Sequence, residues 1–126
     1  LYPHAGDWAE GEVMVEADRF NLPLELGQAG PHEGTLPKEM SFFRLEPATL
    51  GLTALKKCED RDSVVMRIFN PTWKDVEARV TCYRPIRSAC LTNLNEEPQG
   101  DLTPKGKTVE FVLPKKKIHT LELTLG

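Results

Sequence analysis

The chain has 126 residues, of which 40% are hydrophobic and 28% are charged. This composition is typical of a globular protein, and the length suits one domain, or one domain with an extra segment. The formal net charge of −3 is too small to indicate a nucleic-acid or membrane partner.

The charge is distributed unevenly along the chain. Residues 1–50 contain three Lys or Arg and nine Asp or Glu, whereas residues 51–126 contain thirteen and ten. We therefore expect two segments of different character to meet near residue 45 and to attract each other weakly.

Cysteine usage favours a reducing compartment. The three cysteines are an odd number and include no Cys-x-x-Cys pair. We expect free thiols and a cytoplasmic location, with one disulfide as the less favoured alternative. The sequence shows no signal peptide and no apolar run long enough for a membrane span. Because Leu1 falls abruptly at a predicted ordered element, we expect the chain to be part of a longer protein.

The first predicted element is a helix. Asp7 precedes the segment WAEGEVMVEADRF, and Glu10 follows three residues later, which is the arrangement of a capping box. Asn21 and Pro23 predict its end, and Gly11 weakens it slightly. The apolar positions share one face, which must pack on another surface: Ala9, Val13, Ala17 and Phe20.

Residues 24–40 contain three glycines and two prolines, and we interpret them as a linker or long loop. Short apolar segments separated by Pro, Gly, Asn and Asp follow. They predict about seven strands, in residues 41–47, 50–59, 62–70, 76–83, 88–95, 107–114 and 118–125.

Alternation along these strands predicts which side chains face a core. Inward positions include Val76, Ala78, Val80 and Cys82, then Val109, Phe111 and Leu113, then Leu121, Leu123 and Leu125. Half-buried faces on nearly every strand require two sheets around one core. The predicted fold class is therefore all-β: an antiparallel β-sandwich in residues 41–126, preceded by a helical lead-in and loop in residues 1–40.

The three histidines do not have metal-ligand spacing. We expect His119 at an outward or edge position of the last strand and His32 exposed in the loop. His4 has the best claim to a functional role, because it precedes a predicted helix N-terminus and is flanked by Tyr2 and Trp8. A structural bond from His4 to a backbone group is the favoured alternative.

The segment Lys56–Asp62 has six charged residues among seven. A glycosidase needs two facing carboxyl groups, one with a raised pKa. Adjacent acids on a turn, surrounded by Lys56, Lys57 and Arg61, are instead expected to be solvated and paired, with low pKa values. Glu96 and Glu97 form a second pair of adjacent acids. Lys115–Lys117 predict a solvated turn rather than a nucleic-acid patch. No nucleophile elbow, phosphate-binding loop or dinucleotide fingerprint is present, so no catalytic residue is predicted in this chain.

Three strings resemble the glycoside hydrolase family 38 α-mannosidases, especially bacterial members. They are LYPHAGDWAEGEVMVEADRFNLPL, LTALKKCEDRDSVVMRIFNPT and KKKIHTLELTL, and they occur in the order found in that family. Together they span nearly the whole chain. The resemblance identifies the chain as a C-terminal piece of a multidomain, exo-acting α-mannosidase.

The resemblance implies a catalytic domain N-terminal to this piece, with a zinc ion held by His and Asp and an Asp nucleophile that gives hydrolysis with retention. None of those motifs occurs here, so no catalytic, cofactor-binding or metal role transfers to these residues. The β-sandwich regions of the family support the catalytic domain and wall part of the substrate cleft. By position, His4, Arg67 and Asn70 are the candidates for the cleft.

The expected partners are the remainder of the parent enzyme and, through it, an α-mannoside; neither a nucleic acid nor a membrane is expected. Because the family often forms oligomers, a homo-oligomer is also considered. A free-standing carbohydrate-binding module is the alternative, although an aromatic content of 7% counts against it. An immunoglobulin- or fibronectin-like adhesion module suits the unpaired cysteines and acidic lead-in less well.

Overall fold

The computed structural model describes residues 1–126, which divide into two compact units, Leu1–Ser41 and Phe42–Gly126. The first unit contains the single helix, and the second contains all of the strands. That helix is too short and too polar to cross a membrane.

In the first unit the predicted helix begins later than expected. The capping box forms, because Asp7 Oδ1 accepts a hydrogen bond from Glu10 N at 2.9 Å and Glu10 Oε2 accepts one from Asp7 N at 3.2 Å. The chain then turns at Glu12, whose φ of 51° is left-handed, and helix α1 spans only Val13–Asn21. Gly11 N still donates to Asp7 O at 2.9 Å, but Val13 N donates to Trp8 O instead of Ala9 O. The left-handed residue thus interrupts the helical hydrogen bonds, so the prediction of a helix directly after Asp7 is wrong.

The apolar face of α1 is not buried within its own unit. None of its residues is buried, and Phe20 is 88% exposed. Asn21 ends the helix as predicted. Residues 22–41 form no further helix or strand, in agreement with the predicted loop.

The second unit is an antiparallel β-sandwich of eight strands. The strands are β1 Phe43–Glu46, β2 Gly51–Lys57, β3 Val64–Phe69, β4 Val76–Cys82, β5 Ile86–Thr92, β6 Pro98–Leu102, β7 Thr108–Leu113 and β8 Ile118–Leu125. One sheet has the order β1-β4-β7, and the other has the order β2-β3-β8-β5-β6. The predicted all-β sandwich is confirmed.

The core lies between the two sheets, where the predicted alternation places it. The inward positions of β4, β7 and β8 are occupied by side chains that are nearly all fully buried, with Phe111 at 9% exposure. Met66 and Ile68 of β3 join them. Burial of one face of β4, β7 and β8 therefore fixes their pairing register.

Two expectations about the strands are wrong. Strand β6 was not predicted, because Pro98, Gly100 and Asp101 are unfavourable in strands; an exposed strand at the edge of the sheet tolerates them. His119 faces the core rather than outward, since it pairs with Ile68 and its ring lies 6.0 Å from that of Phe111. The side-chain period of two gives His119 the same direction as Leu121.

Candidate functional site

The most elaborate polar arrangement lies on the outer face of the five-stranded sheet, opposite the core. There the register aligns Lys56, Val65, Glu122, Cys90 and Asp101 across the five strands. Two turns, residues 58–63 and 93–97, lie at this level. We use the term outer-face cluster for the side chains that meet there: Lys56, Cys58, Arg61, Ser63, Glu96 and Glu122.

Glu122, on the central strand β8, is 6% exposed. Arg61 donates to both of its carboxylate oxygens, from Nε and Nη2, each at 2.7 Å. Ser63 Oγ adds a third hydrogen bond at 2.6 Å. Because the Arg61 hydrogen bonds favour the charged form, the pKa of Glu122 is lowered despite its burial, and the pKa of Arg61 is raised.

Glu96, in the turn between β5 and β6, is also 6% exposed. Its carboxylate accepts hydrogen bonds from Cys58 Sγ at 3.0 Å and from the backbone N–H of Glu59 at 2.9 Å, and Lys56 Nζ lies 2.8 Å away. These bonds, that of Cys58 foremost, lower the pKa of Glu96 to about 2. Bonds to Glu59 and Glu96 raise the pKa of Lys56 to about 12.

Arg61 joins the two halves of the cluster. Besides holding Glu122, its Nη2 donates to the carbonyl oxygen of Glu96 at 2.5 Å. The turn between β2 and β3 is thereby fastened to β8 and to the turn between β5 and β6. Both carboxylates are ionised and already paired, whereas a general acid must hold a proton near neutral pH. The outer-face cluster is therefore built to fasten turns together.

The prediction of a charged turn is confirmed for its acids, since Glu59, Asp60 and Asp62 are exposed. Glu96, from the second pair of adjacent acids, is buried instead. Its partner Cys58 is 38 positions away in sequence. Local residue patterns therefore do not predict the burial of Glu96. The sequence contains one local indication of this cluster: Glu122 is the only acid of β8 and lies between two leucines.

The cysteines show no sign of nucleophilic chemistry. All three thiols are free. Burial raises the pKa of Cys82, an inward residue of β4 as predicted, to about 11. Burial and then the charge of Glu122 raise the pKa of Cys90. Raised pKa values reduce the thiolate fraction on which reactivity depends.

Asn70, predicted for the cleft, is 1% exposed and fully engaged by the chain itself. Its Nδ2 donates to the carbonyls of Lys74 at 2.7 Å and Leu113 at 3.0 Å, and its Oδ1 accepts from Thr72 N at 2.9 Å. The side chain thus ties the turn after β3 to the end of β7. This is the geometry of a structural residue.

Arg67, the second candidate, lies half-buried on the outer face of β3. Its Nε donates to Thr120 Oγ1 at 3.3 Å, and its guanidinium takes part in none of the ion pairs of the chain. Across the sheet, Thr120 pairs with Thr92, whose buried Oγ1 has no hydrogen-bond partner. Arg67 therefore retains donors for a group outside this chain.

His4, the third candidate, is exposed in the first unit. Its Nδ1 lies 3.3 Å from the carbonyl oxygen of Ala5, and its ring stacks on Tyr2 with centroids 6.0 Å apart. Arg67 lies on β3 and Asn70 directly follows that strand, but Arg67 contacts β8 whereas Asn70 contacts the following turn and the end of β7. The structure thus describes three separate environments, and a role in a cleft stays a prediction for each.

Lys115, Lys116 and Lys117 are exposed in the turn between β7 and β8, as predicted. Lys116 Nζ lies 3.8 Å from the ring centroid of Trp73 and donates to the carbonyl of Pro71. Lys115 N donates to Asp75 Oδ1 at 2.9 Å. This turn is fastened to the turn after β3, beside Asn70.

The residues present do not suit the zinc ion that the resemblance implies. No three His, Cys, Asp or Glu side chains are grouped so that they could hold a metal ion. The buried carboxylates of the outer-face cluster are occupied by Arg61 and Lys56. We therefore assign no metal-dependent step to the residues of this chain.

Comparisons with known proteins confirm the resemblance. Residues 49–121 match the family model of the glycosyl hydrolases family 38 C-terminal beta sandwich domain. The chain is 26% identical over 130 residues to human alpha-mannosidase 2C1, an alignment that covers 99% of this chain and 12% of that protein. The chain thus spans a small part of the length of this relative. It belongs to the family of glycosyl hydrolase family 38 C-terminal β-sandwich domains.

Proposed function

We propose that this chain acts as the non-catalytic C-terminal part of a zinc-dependent, retaining α-mannosidase. It supports the catalytic domain and walls part of the substrate cleft. The zinc ion and the nucleophile belong to the catalytic domain, outside these residues. The substrate is an α-mannoside, and the compartment is the cytoplasm, which suits three free thiols.

The family match carries this proposal, and the state of the buried acids supports it. Glu96 and Glu122 are the buried carboxylates of the sandwich. Both have lowered pKa values, Glu96 chiefly because of the hydrogen bond from Cys58 and Glu122 chiefly because of those from Arg61. Retaining glycosidases need one carboxyl group with a raised pKa opposite a nucleophile. The acids of this domain have the opposite character.

Arg67 is the residue that we propose for the cleft wall. Its guanidinium is half-exposed, lies on an open sheet face and has donors left over, whereas Asn70 has its polar atoms engaged. A guanidinium of this kind can donate to sugar hydroxyls or to an acidic group of the neighbouring domain.

Adding the chain back to the remainder of the enzyme tests this function. We expect the remainder alone to hydrolyse an aryl α-mannoside weakly, and the 126-residue chain to restore activity when mixed with it. In that mixture Arg67→Ala should reduce kcat/KM about tenfold, which corresponds to one lost charged hydrogen bond of ~1.4 kcal/mol.

Arg79→Ala is the matched control. Arg79 is an exposed arginine of the three-stranded sheet, which does not contain Arg67, and it pairs with Glu110 on the neighbouring strand. This variant should leave kcat/KM unchanged. Full activity of the remainder without the chain would contradict the supporting role, and equal effects of the two variants would contradict a cleft role for Arg67.

A further inference from the structure

Residues 22–26, Leu-Pro-Leu-Glu-Leu, have a pattern that their surroundings in this chain do not explain. Leu22, Leu24 and Leu26 are 72%, 95% and 97% exposed. They alternate with Pro23 and Glu25, which is the period of a half-buried strand rather than of a polar linker. Three large apolar side chains on one face of a five-residue segment call for an apolar surface that covers them.

The backbone of this segment also has two different edges. In a strand, the N–H and C=O groups of alternate residues point to opposite edges. Leu24 and Leu26 supply one edge with N–H donors, since the N–H of Leu22 already donates to Asp18 O, whereas Pro23 supplies the other edge with none. Such a segment can pair along its leucine edge while the proline edge faces solvent, as proline in sheets requires.

Helix α1 leaves the segment available for this pairing. The helix ends at Asn21, where Leu22 N donates to Asp18 O at 2.8 Å and Leu22 has φ −110° and ψ 82°. Pro23 disfavours helical conformation at the preceding residue. Glu25 is exposed, and in an extended strand its side chain would point away from the leucines, where the carboxylate stays hydrated.

We propose that residues 22–26 add as an edge strand to an exposed sheet edge in the remainder of the longer polypeptide, with the three leucines against an apolar surface there. This inference rests on the proposed function. The remainder of the polypeptide is the expected partner of the segment because the relative aligns over 99% of this chain, including this segment. The aligned part is only 12% of the relative. In a protein of that length, most residues lie outside this segment and its sandwich and are linked to them in the same polypeptide.

Amide hydrogen exchange at single-residue resolution tests the pairing. The 126-residue chain is measured alone and after mixing with the remainder of the enzyme. The amides of Leu24 and Leu26 should exchange rapidly in the chain alone and about a hundredfold more slowly in the mixture. The amide of Glu25 should stay rapid in both, because its N–H lies on the solvent edge.

Two proline substitutions separate edge pairing from simple apolar contact. Glu25→Pro removes an N–H on the solvent edge and should leave the affinity for the remainder within about twofold. Leu24→Pro and Leu24→Asp should each weaken it at least tenfold, the former by loss of a donor and side chain, the latter by placing a charge on the apolar face. All three changes lie outside the sandwich, whose urea midpoint should stay constant.

The outcomes separate this inference from the proposed function. A chain that does not bind the remainder at all overturns both. Binding with wild-type affinity by Leu24→Asp, or rapid exchange of the leucine amides in the mixture, overturns the edge strand alone. Self-association of the chain that depends on Leu24 overturns it in favour of a second copy as the occupant.

Discussion

Two buried carboxylates dominate the chemistry of this domain at the scale of single residues. Glu96 and Glu122 are each almost completely buried, and each is surrounded by groups that stabilise its charge. Burying a charge is unfavourable unless it is paired and hydrogen-bonded, and removing one partner leaves the other uncompensated. The stability of the domain must therefore depend on the ionisation of these acids.

Glu96→Gln should change how stability depends on pH. The pKa of Glu96 is about 2, below its usual value of 4.5, so the unfolded chain takes up the proton first as the pH falls. The stabilisation is fully present above pH 4.5 and is lost as the pH falls from 4.5 toward 2. The urea midpoint of Glu96→Gln should lie below that of the wild type at pH 7 and approach it at low pH.

Asp60→Asn is the matched control for that measurement. Asp60 is exposed in the turn beside Glu59, and its variant should follow the wild-type pH profile. A constant gap between the wild type and Glu96→Gln from neutral pH down to pH 2 would contradict the charged pairing of Glu96.

The sequence could not have predicted this cluster in full. The turn at Lys56–Asp62 and the placement of Glu122 opposite the leucines of β8 follow from local patterns. The burial of Glu96 does not, because it depends on Cys58 and on the pairing order of the five-stranded sheet. Long-range pairing of this kind has no signature in residue spacing.

At the scale of elements, one-sided burial decides what is predictable. Strands β4, β7 and β8 alternate between apolar and polar residues because one face of each lies on the core, and their predictions are confirmed. Strand β6 has no buried residue to impose such a pattern. The start of α1 failed for a different reason, since the left-handed turn at Glu12 overrides a correctly predicted capping box.

The β2–β3 pair contains one close approach that makes a sharp prediction. A Cβ atom at Gly51 would lie 1.9 Å from Phe69 Cε1, so the ring covers the glycine directly. Gly51→Ala should lower the free energy of unfolding by about 1–3 kcal/mol, as overpacking does, because the ring must move. In a Phe69→Ala background the same substitution should cost less than about 0.5 kcal/mol.

Gly100→Ala on β6 is the control, since nothing lies within 4 Å of the added Cβ. Urea unfolding of the four single and double variants measures the coupling. If the two substitutions changed the free energy of unfolding additively, the Phe69 ring would not be the cause of the destabilisation by Gly51→Ala.

At the scale of the whole molecule, the chain combines a sandwich with its own core and a first unit whose apolar groups lack cover within that unit. The sandwich contains the family match, residues 49–121. The first unit exposes Phe20 and the leucines of residues 22–26. Exposed apolar side chains of this kind are suited to packing on a further apolar surface.

We propose that these residues support an α-mannosidase without performing its chemistry. The most direct measurement is the rate at which the purified 126-residue chain hydrolyses an aryl α-mannoside, with added zinc and with a chelator. We predict a rate equal to that of buffer in both conditions. Turnover that depends on zinc and is proportional to the concentration of the chain would contradict the account.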